Sequence, residues 1–346
     1  MTEFIDLRSD TVTQPSEQMR EAMYKAVVGD DIMGEDPTVR KLEEISADIL
    51  GKQDALFVTS GTMGNQIAVM TLTNRGEEVI VGDTSHIYNL EVGALAALSQ
   101  VQTRPIEVPN GIYDINKIEG LIQEQGIQRA KTSLICIENT NNLNAGFIVP
   151  LDNINNVCEL AKKNNILVHL DGARIFNAAV VSKVPVKELV KNADTVMFAL
   201  TKGLSSPFGA ILAGNKDIIK KARWMKQRIG GGYRQAGFLA APGIIALKTM
   251  MPQLEIDHRY AKILGEALAK ISGLKVDAKR IDTNIITGSV EGIPITIDDF
   301  LEKLMKRGIK AKQISKTSFR MVTHYGIEKQ HLQQVVQVVE EILDNL

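Results

Sequence analysis

The stretch FALTKGLSSPFGA, residues 198–210, continues an apolar run, Val196 to Leu200, almost directly into Lys202. Lysine is among the residues least often buried, because its ammonium loses hydration there. A lysine that is partly desolvated, however, becomes a nucleophilic amine able to form a Schiff base with an aldehyde. In HLDGAR, residues 169–174, Asp171 ends another apolar run and Arg174 follows it. An aspartate in that place can hold a protonated pyridine nitrogen. In SGTMGN, residues 60–65, small residues lie between an apolar run and a helical pattern. Backbone N–H groups at such a helix start suit a phosphate. Taken singly, these features also read as a surface lysine, a helix-capping aspartate and a plain strand-to-helix turn. Together, Lys202, Asp171 and Ser60-Gly61-Thr62 supply the three fixed points that pyridoxal phosphate requires. No GxxxxGK[ST] or GxGxxG pattern is present, so neither a nucleotide P-loop nor a dinucleotide site is supported.

The elements around these residues explain why they would meet. DALFVTS (54–60), EEVIVGD (77–83), TSLICIEN (132–139), ILVHLDGA (166–173), DTVMFALT (194–201) and GAILAGN (209–215) read as strands. Helical patterns stand between most of them, at TMGNQIAVMTL (62–72), YNLEVGALAAL (88–98) and DNINNVCELAKKN (152–164). Near-continuous apolar strands alternating with helices predict a parallel sheet covered on both faces. Ligands of such sheets bind at the strands' carboxyl ends, where all of the residues singled out above fall.

Upstream, QPSEQMREAMYKA (14–26) reads as a helix, and DPTVRKLEEISADILG (36–51) as another with Asp36 as N-cap, Pro37 at its first position and Gly51 as terminator. After about residue 245 the texture changes to helices (260–273, 296–308) and short strands (283–290, 318–326). A last helix is expected to bury Leu332, Val335, Val336, Val339 and Ile342. The expected organisation is an N-terminal segment 1–14 contributing to the active site, a large domain 15–245 and a small α+β domain 246–346.

Composition narrows the function classes. The 346 residues are 44% apolar and 23% charged, with a net charge of −1. No single-sign field attracts nucleic acid or an anionic membrane, and neither is expected as a partner. No window approaches the ~18 consecutive apolar residues of a membrane span, and MTEFIDLRSD has no signal-peptide pattern. Cys136 and Cys158 are too few for a disulfide framework. The histidines, at 86, 169, 258, 324 and 331, show no ligand spacing, so no metal is expected. The cytoplasm is the expected compartment.

Beyond these residue-level readings, the chain resembles the low-specificity L-threonine aldolases among the fold-type-I pyridoxal-phosphate enzymes. The resemblance rests on LRSDTVT (7–13), GDD and GEDPT (29–38), SGTMGNQ (60–66), SHI (85–87), IENT (137–140), DGARIFNA (171–178), KGL (202–204), GGGYRQAG (230–237) and RMVTH (320–324). It implies a mainly parallel seven-stranded sheet between helices, with a small C-terminal α+β domain. It implies pyridoxal 5′-phosphate held covalently on Lys202, with Asp171 on the pyridine nitrogen. Ser60, Gly61 and Thr62 would hold the phosphate, with Arg234 reaching it from a neighbouring subunit. His86 would stack on the ring and act in catalysis. Ser9, Arg174 and Arg320 would bind the substrate carboxylate, with Asn141 also at the substrate.

The implied reaction is retro-aldol cleavage of threonine, allo-threonine or a related β-hydroxy-α-amino acid to glycine and an aldehyde, in a dimer of dimers. The alternative is another reaction on the same cofactor, such as racemisation or β-elimination. The chain departs from the family pattern at Asn141, where His is usual, at Met33 for Tyr, and at Gln227 for Lys.

Overall fold

The computed structural model describes residues 4–346; residues 1–3, the start of the segment expected at the active site, lie outside the described residues. In chain order the first strands are β1 (Ile5–Asp6), β2 (Asp54–Val58), β3 (Glu78–Gly82), β4 (Gln102–Ile106), β5 (Thr132–Glu138), β6 (Leu167–Asp171), β7 (Thr195–Ala199) and β8 (Ala210–Gly214). Strands β2 to β8 make one seven-stranded sheet in the order β2-β8-β7-β6-β5-β3-β4. Strands β4, β3, β5, β6 and β7 pair in parallel. Every residue of β3, β5 and β7 is buried, as a sheet covered on both faces demands. The fold is α/β with a mainly parallel sheet, as expected.

Two details of the large sheet differ from the sequence reading. GAILAGN is a strand, but β8 runs antiparallel to both β2 and β7. No helix separates β7 from β8, and a short connection without a crossover can only join antiparallel neighbours. The edge strand β4 escapes the apolar-run criterion because it is half-exposed and contains Pro105, which a sheet tolerates at its edge.

The helix α1 (Glu17–Tyr24) is capped by Ser16. The helix α2 (Pro37–Leu50) starts and stops as its sequence directs: the Asp36 carboxylate accepts from the N–H groups of Thr38 and Val39, and Gly51 ends it at φ 64°. The helix α3 (Gly61–Leu72) follows β2. A Cβ at Gly64 would come within 2.8 Å of Met197 Cγ, and one at Gly61 within 3.1 Å of Met197 Cε. The glycines therefore let the start of α3 lie directly against β7. The helix expected over 88–98 is broken. A short turn, His86–Asn89, is followed by left-handed Val92 (φ 53°) and Gly93 (φ 68°), and helical winding resumes only at Leu95–Ser99.

The remaining strands, β9 (Lys275–Val276), β10 (Ile285–Ser289), β11 (Ile309–Lys310), β12 (Lys312–Gln313) and β13 (Ser318–Val322), belong to the C-terminal third. Four of them form an antiparallel sheet, β12-β13-β10-β9. β1 pairs in parallel with β11, so Ile5 and Leu7 pack into a core that includes Leu264, Phe300, Phe319 and Val335. The chain's beginning is thereby pinned to its end. The last helix, Lys329–Asp344, buries Leu332, Val335, Val338, Val339 and Ile342. Val338 thus takes the buried position expected of Val336, which is only half-buried. Among the described residues no helix is long and apolar enough to cross a membrane.

Candidate active site

The carboxyl edge of the sheet gathers the chemistry. One cavity is lined by Gly61, Thr62, Asn65, His86, Asp171, Ala173, Met197, Ala199, Thr201 and Lys202. A larger cleft at the opposite edge, between Lys52, Cys158, Asp194 and Gly214, holds no comparable set of groups.

Each lining residue has a local reason to be there. Ser60, beside the cavity and not in its lining, caps α3, its hydroxyl accepting from Met63 N–H. The first N–H groups of that helix, on Gly61 and Thr62, have no intrahelical acceptor and meet the cavity at the positive end of the helix. Lys202 follows β7, and burial, then the charge of Arg174, lowers its amine to about 8. Asp171 closes β6; its carboxylate accepts from Ala173 N–H at 3.1 Å and from the Asn65 amide at 2.8 Å. The donor set fits pyridoxal phosphate: free helix-start N–H groups for the phosphate, a carboxylate for the ring nitrogen and a depressed amine for the aldehyde.

His86 starts the short turn after β3. Its Nδ1 lies 2.9 Å from Glu91 Oε1, and that hydrogen bond raises the imidazole's pKa. Glu138, at the end of β5, accepts from the backbone N–H of His86 and, at 2.7 Å, from that of Asn142. Burial, then the charge of Asp171, lifts the Glu138 carboxyl to about 7.

A second cluster adjoins this one. Arg174 is held by Asp10 through two hydrogen bonds, 2.7 Å from Nε and 2.6 Å from Nη2. Its Nη1 and the Nη1 of Arg320 both donate to Asn142 Oδ1, each at 3.1 Å. Arg320 Nε is buried with no hydrogen-bond partner among the described residues. Two guanidiniums and one carboxylate leave one positive charge uncompensated in a buried place, a receptor for a small carboxylate. Ser9 caps the short turn Asp10–Val12, and its hydroxyl lies 3.4 Å from Asp10 Oδ1.

Two expected site residues stand apart. Arg234 lines no part of this cavity; it is exposed and pairs with Asp30 at 2.7 Å. Asn141 is fully buried, and its amide ties the turn that follows β5 to the residues after β3. Its Nδ2 donates to Thr84 Oγ1 at 3.1 Å, and its Oδ1 accepts from Asn144 N–H at 3.1 Å. Sequence reasoning missed Asp10, Asn65 and Glu91, and gave no role to Glu138 and Asn142, although both fall at the end of a strand expected to reach the site. Asp10, Asn65 and Glu138 lie inside motifs already singled out, and Asn142 lies two residues beyond one; Glu91 carries no local signal.

Comparison with known proteins places the chain in a family. The beta-eliminating lyase family matches residues 6–290. A probable low-specificity L-threonine aldolase of Arabidopsis thaliana is 40% identical, over 98% of this chain and 97% of that protein. The low specificity L-threonine aldolase of Escherichia coli is also 40% identical, over 96% of this chain and 97% of its own length. Among solved structures, the threonine aldolase of Leishmania major superposes with a TM-score of 0.83 over 98% of this chain and 99% of that one, at 19% identity. The chain therefore belongs to the beta-eliminating lyase family, in the group of the low-specificity L-threonine aldolases.

Proposed function

We propose that this protein is a pyridoxal-phosphate-dependent aldehyde-lyase that cleaves L-threonine, L-allo-threonine and related β-hydroxy-α-amino acids to glycine and an aldehyde. The observation that carries this reading is the convergence of Lys202, Asp171, His86 and the Gly61–Thr62 helix start on one cavity, next to a carboxylate receptor built from Arg174 and Arg320.

When bound, pyridoxal phosphate supplies an electron sink for the pair released as Cα–Cβ breaks. Ser60, Gly61 and Thr62 hold its phosphate, Lys202 attaches it through its amine, and Asp171 keeps a proton on its ring nitrogen. Arg174 and Arg320, with the Ser9 hydroxyl, bind the amino acid's carboxylate and so aim the β-carbon. His86 accepts the β-hydroxyl proton. Asn141 acts through the turn it holds, which carries Asn142 to Arg174 and Arg320. The expected division into a segment 1–14, a large domain 15–245 and a small domain 246–346 is kept in outline, but the hydrophobic clusters favour a later boundary, between Leu254 of the large core and Ala261 of the small one, with Ile5 and Leu7 packed into the small core. The cytoplasm, threonine catabolism and glycine formation complete this reading.

Incubation of the purified protein with threonine, allo-threonine and phenylserine, each alone, is expected to yield glycine and the matching aldehyde in equal amounts. Racemised substrate or a keto acid without glycine would overturn the assignment.

Arg234 lies away from its own chain's cavity, exposed beside Asp30. We assign it to the phosphate of a neighbouring copy within a dimer of dimers. Inactive Arg234→Ala and Lys202→Ala chains, mixed under verified subunit exchange, are expected to regain activity, because one site in the hybrid has both residues intact. No recovery removes the shared-site assignment.

A further inference from the structure

The break in the expected helix over 88–98 has a chemical result: it turns Glu91 inward. Its carboxylate is fully buried, yet three side chains point donors at it. Oε1 faces His86 Nδ1 at 2.9 Å and Asn65 Nδ2 at 2.8 Å, and Oε2 accepts from Gln66 Nε2 at 2.6 Å. The amides of Asn65 and Gln66 can only donate through these nitrogens, so the carboxylate is the acceptor throughout.

Asn65 is itself locked. Its Nδ2 also serves Asp171 Oδ2 at 2.8 Å, and its Oδ1 faces His169 Nε2 at 3.0 Å. Burial drives His169 down to about 4, so the ring is neutral and carries one proton. Placing that proton on Nε2 satisfies Asn65 Oδ1 and leaves Nδ1 to accept from the Thr195 hydroxyl, 2.9 Å away. Thr195, His169 and Asn65 form a relay of fixed orientation. It ends on the two carboxylates of the cavity, Asp171 and Glu91.

We propose that Glu91 is a positioning residue: it holds the His86 imidazole with a proton on Nδ1, leaving Nε2 as the basic nitrogen for the substrate hydroxyl. The inference rests on the reading of His86 as the proton acceptor, and its geometry is that of a carboxylate orienting a general-base histidine. The charged groups around His86 come from four elements. Glu91 lies on its own loop, Asp171 at the end of β6, Glu138 at the end of β5 and Lys202 after β7. The first three favour the imidazolium, and Lys202 opposes it.

The test is nitrogen NMR of the 15N-histidine-labelled holoenzyme, with the signal of His86 assigned as the one lost in His86→Asn. Five histidines keep the spectrum simple. The expected wild-type result is the Nδ1–H tautomer at high pH. In Glu91→Gln the ring is expected to titrate at least about one pH unit lower and to move toward the Nε2–H tautomer, because an amide can turn a donor toward Nδ1. The acid limb of kcat should move to lower pH with it. kcat should fall about ten-fold or more, while KM, cofactor content and the cofactor absorbance are retained.

A carboxylate that only glues the loop would change stability without moving the tautomer or the pH limb. An Nε2–H tautomer in the wild type, a measurement that needs no variant, overturns the proposal. So does an unshifted His86 titration in a folded Glu91→Gln protein. Failure of the lyase reading itself would appear separately, as absence of glycine from the wild-type enzyme.

Discussion

Lys202→Ala is expected to lower kcat/KM for threonine by about 10⁴-fold or more and to leave the protein unable to hold its cofactor covalently. Three observations set the size of the effect. The amine stands at the end of β7 in the cavity that Asp171 and His86 share. Burial and Arg174 bring it down to about 8, which keeps a useful fraction neutral near physiological pH. No other lysine lines the cavity, so none can substitute. Borohydride should fix the cofactor to the peptide containing Lys202 in the wild type and to no peptide in the variant. The pH dependence has a definite sign. Only the neutral amine attacks an aldehyde, so cofactor uptake by the apoprotein should quicken as pH rises through about 8 and level off above it. Labelling of a different lysine, or uptake that slows over that range, would remove Lys202 from its role.

What the sequence shows of this site is what lies next to a strand end. Lys202, Asp171 and Ser60-Gly61-Thr62 are legible because each interrupts an apolar run with a residue type that has chemistry to offer. The ends of α2 are legible because Asp36, Pro37 and Gly51 act on their own backbone neighbours. What stays hidden is of two kinds. Edge strand β4 lacks the burial that makes a strand apolar, and Pro105 masks it further. The relay from Thr195 through His169 and Asn65 to Asp171 and Glu91 joins residues 26 to 106 positions apart, so no spacing rule can reveal it. Asn141 shows the converse. Its position in the motif suggests substrate contact, but its side chain is fully buried and bonded to Thr84 and to Asn144.

Asp10 carries the other large expected effect. Sequence reading passes over it because it sits beside Ser9 in a short polar run, and nothing local tells that it is fully buried. The parallel pairing of β1 with β11 and the hydrogen bond from Val322 N–H to the carbonyl of Leu7 deliver it to Arg174. Burial alone would raise the Asp10 carboxyl, but the Arg174 guanidinium and its hydrogen bonds outweigh that and hold it well below the usual carboxylate range. Asp10→Ala leaves Arg174 buried beside Arg320 with no counter-charge. Breaking such a pair by removing one partner costs about 3–5 kcal/mol, far more than the pair's own net worth.

The loss also frees a guanidinium whose direction the substrate carboxylate depends on. KM should therefore rise and unfolding should shift to lower denaturant concentration together. Added acetate should restore part of the stability by refilling the cluster with a carboxylate. The stability gap to the wild type should be full above the unfolded carboxyl's pKa of about 3.9 and narrow as pH falls toward the depressed native value. An Asp10→Ala protein within about 1 kcal/mol of the wild type at neutral pH would show that Arg174 is neutralised by something else, and the single uncompensated charge assigned to the carboxylate receptor would have to be recounted.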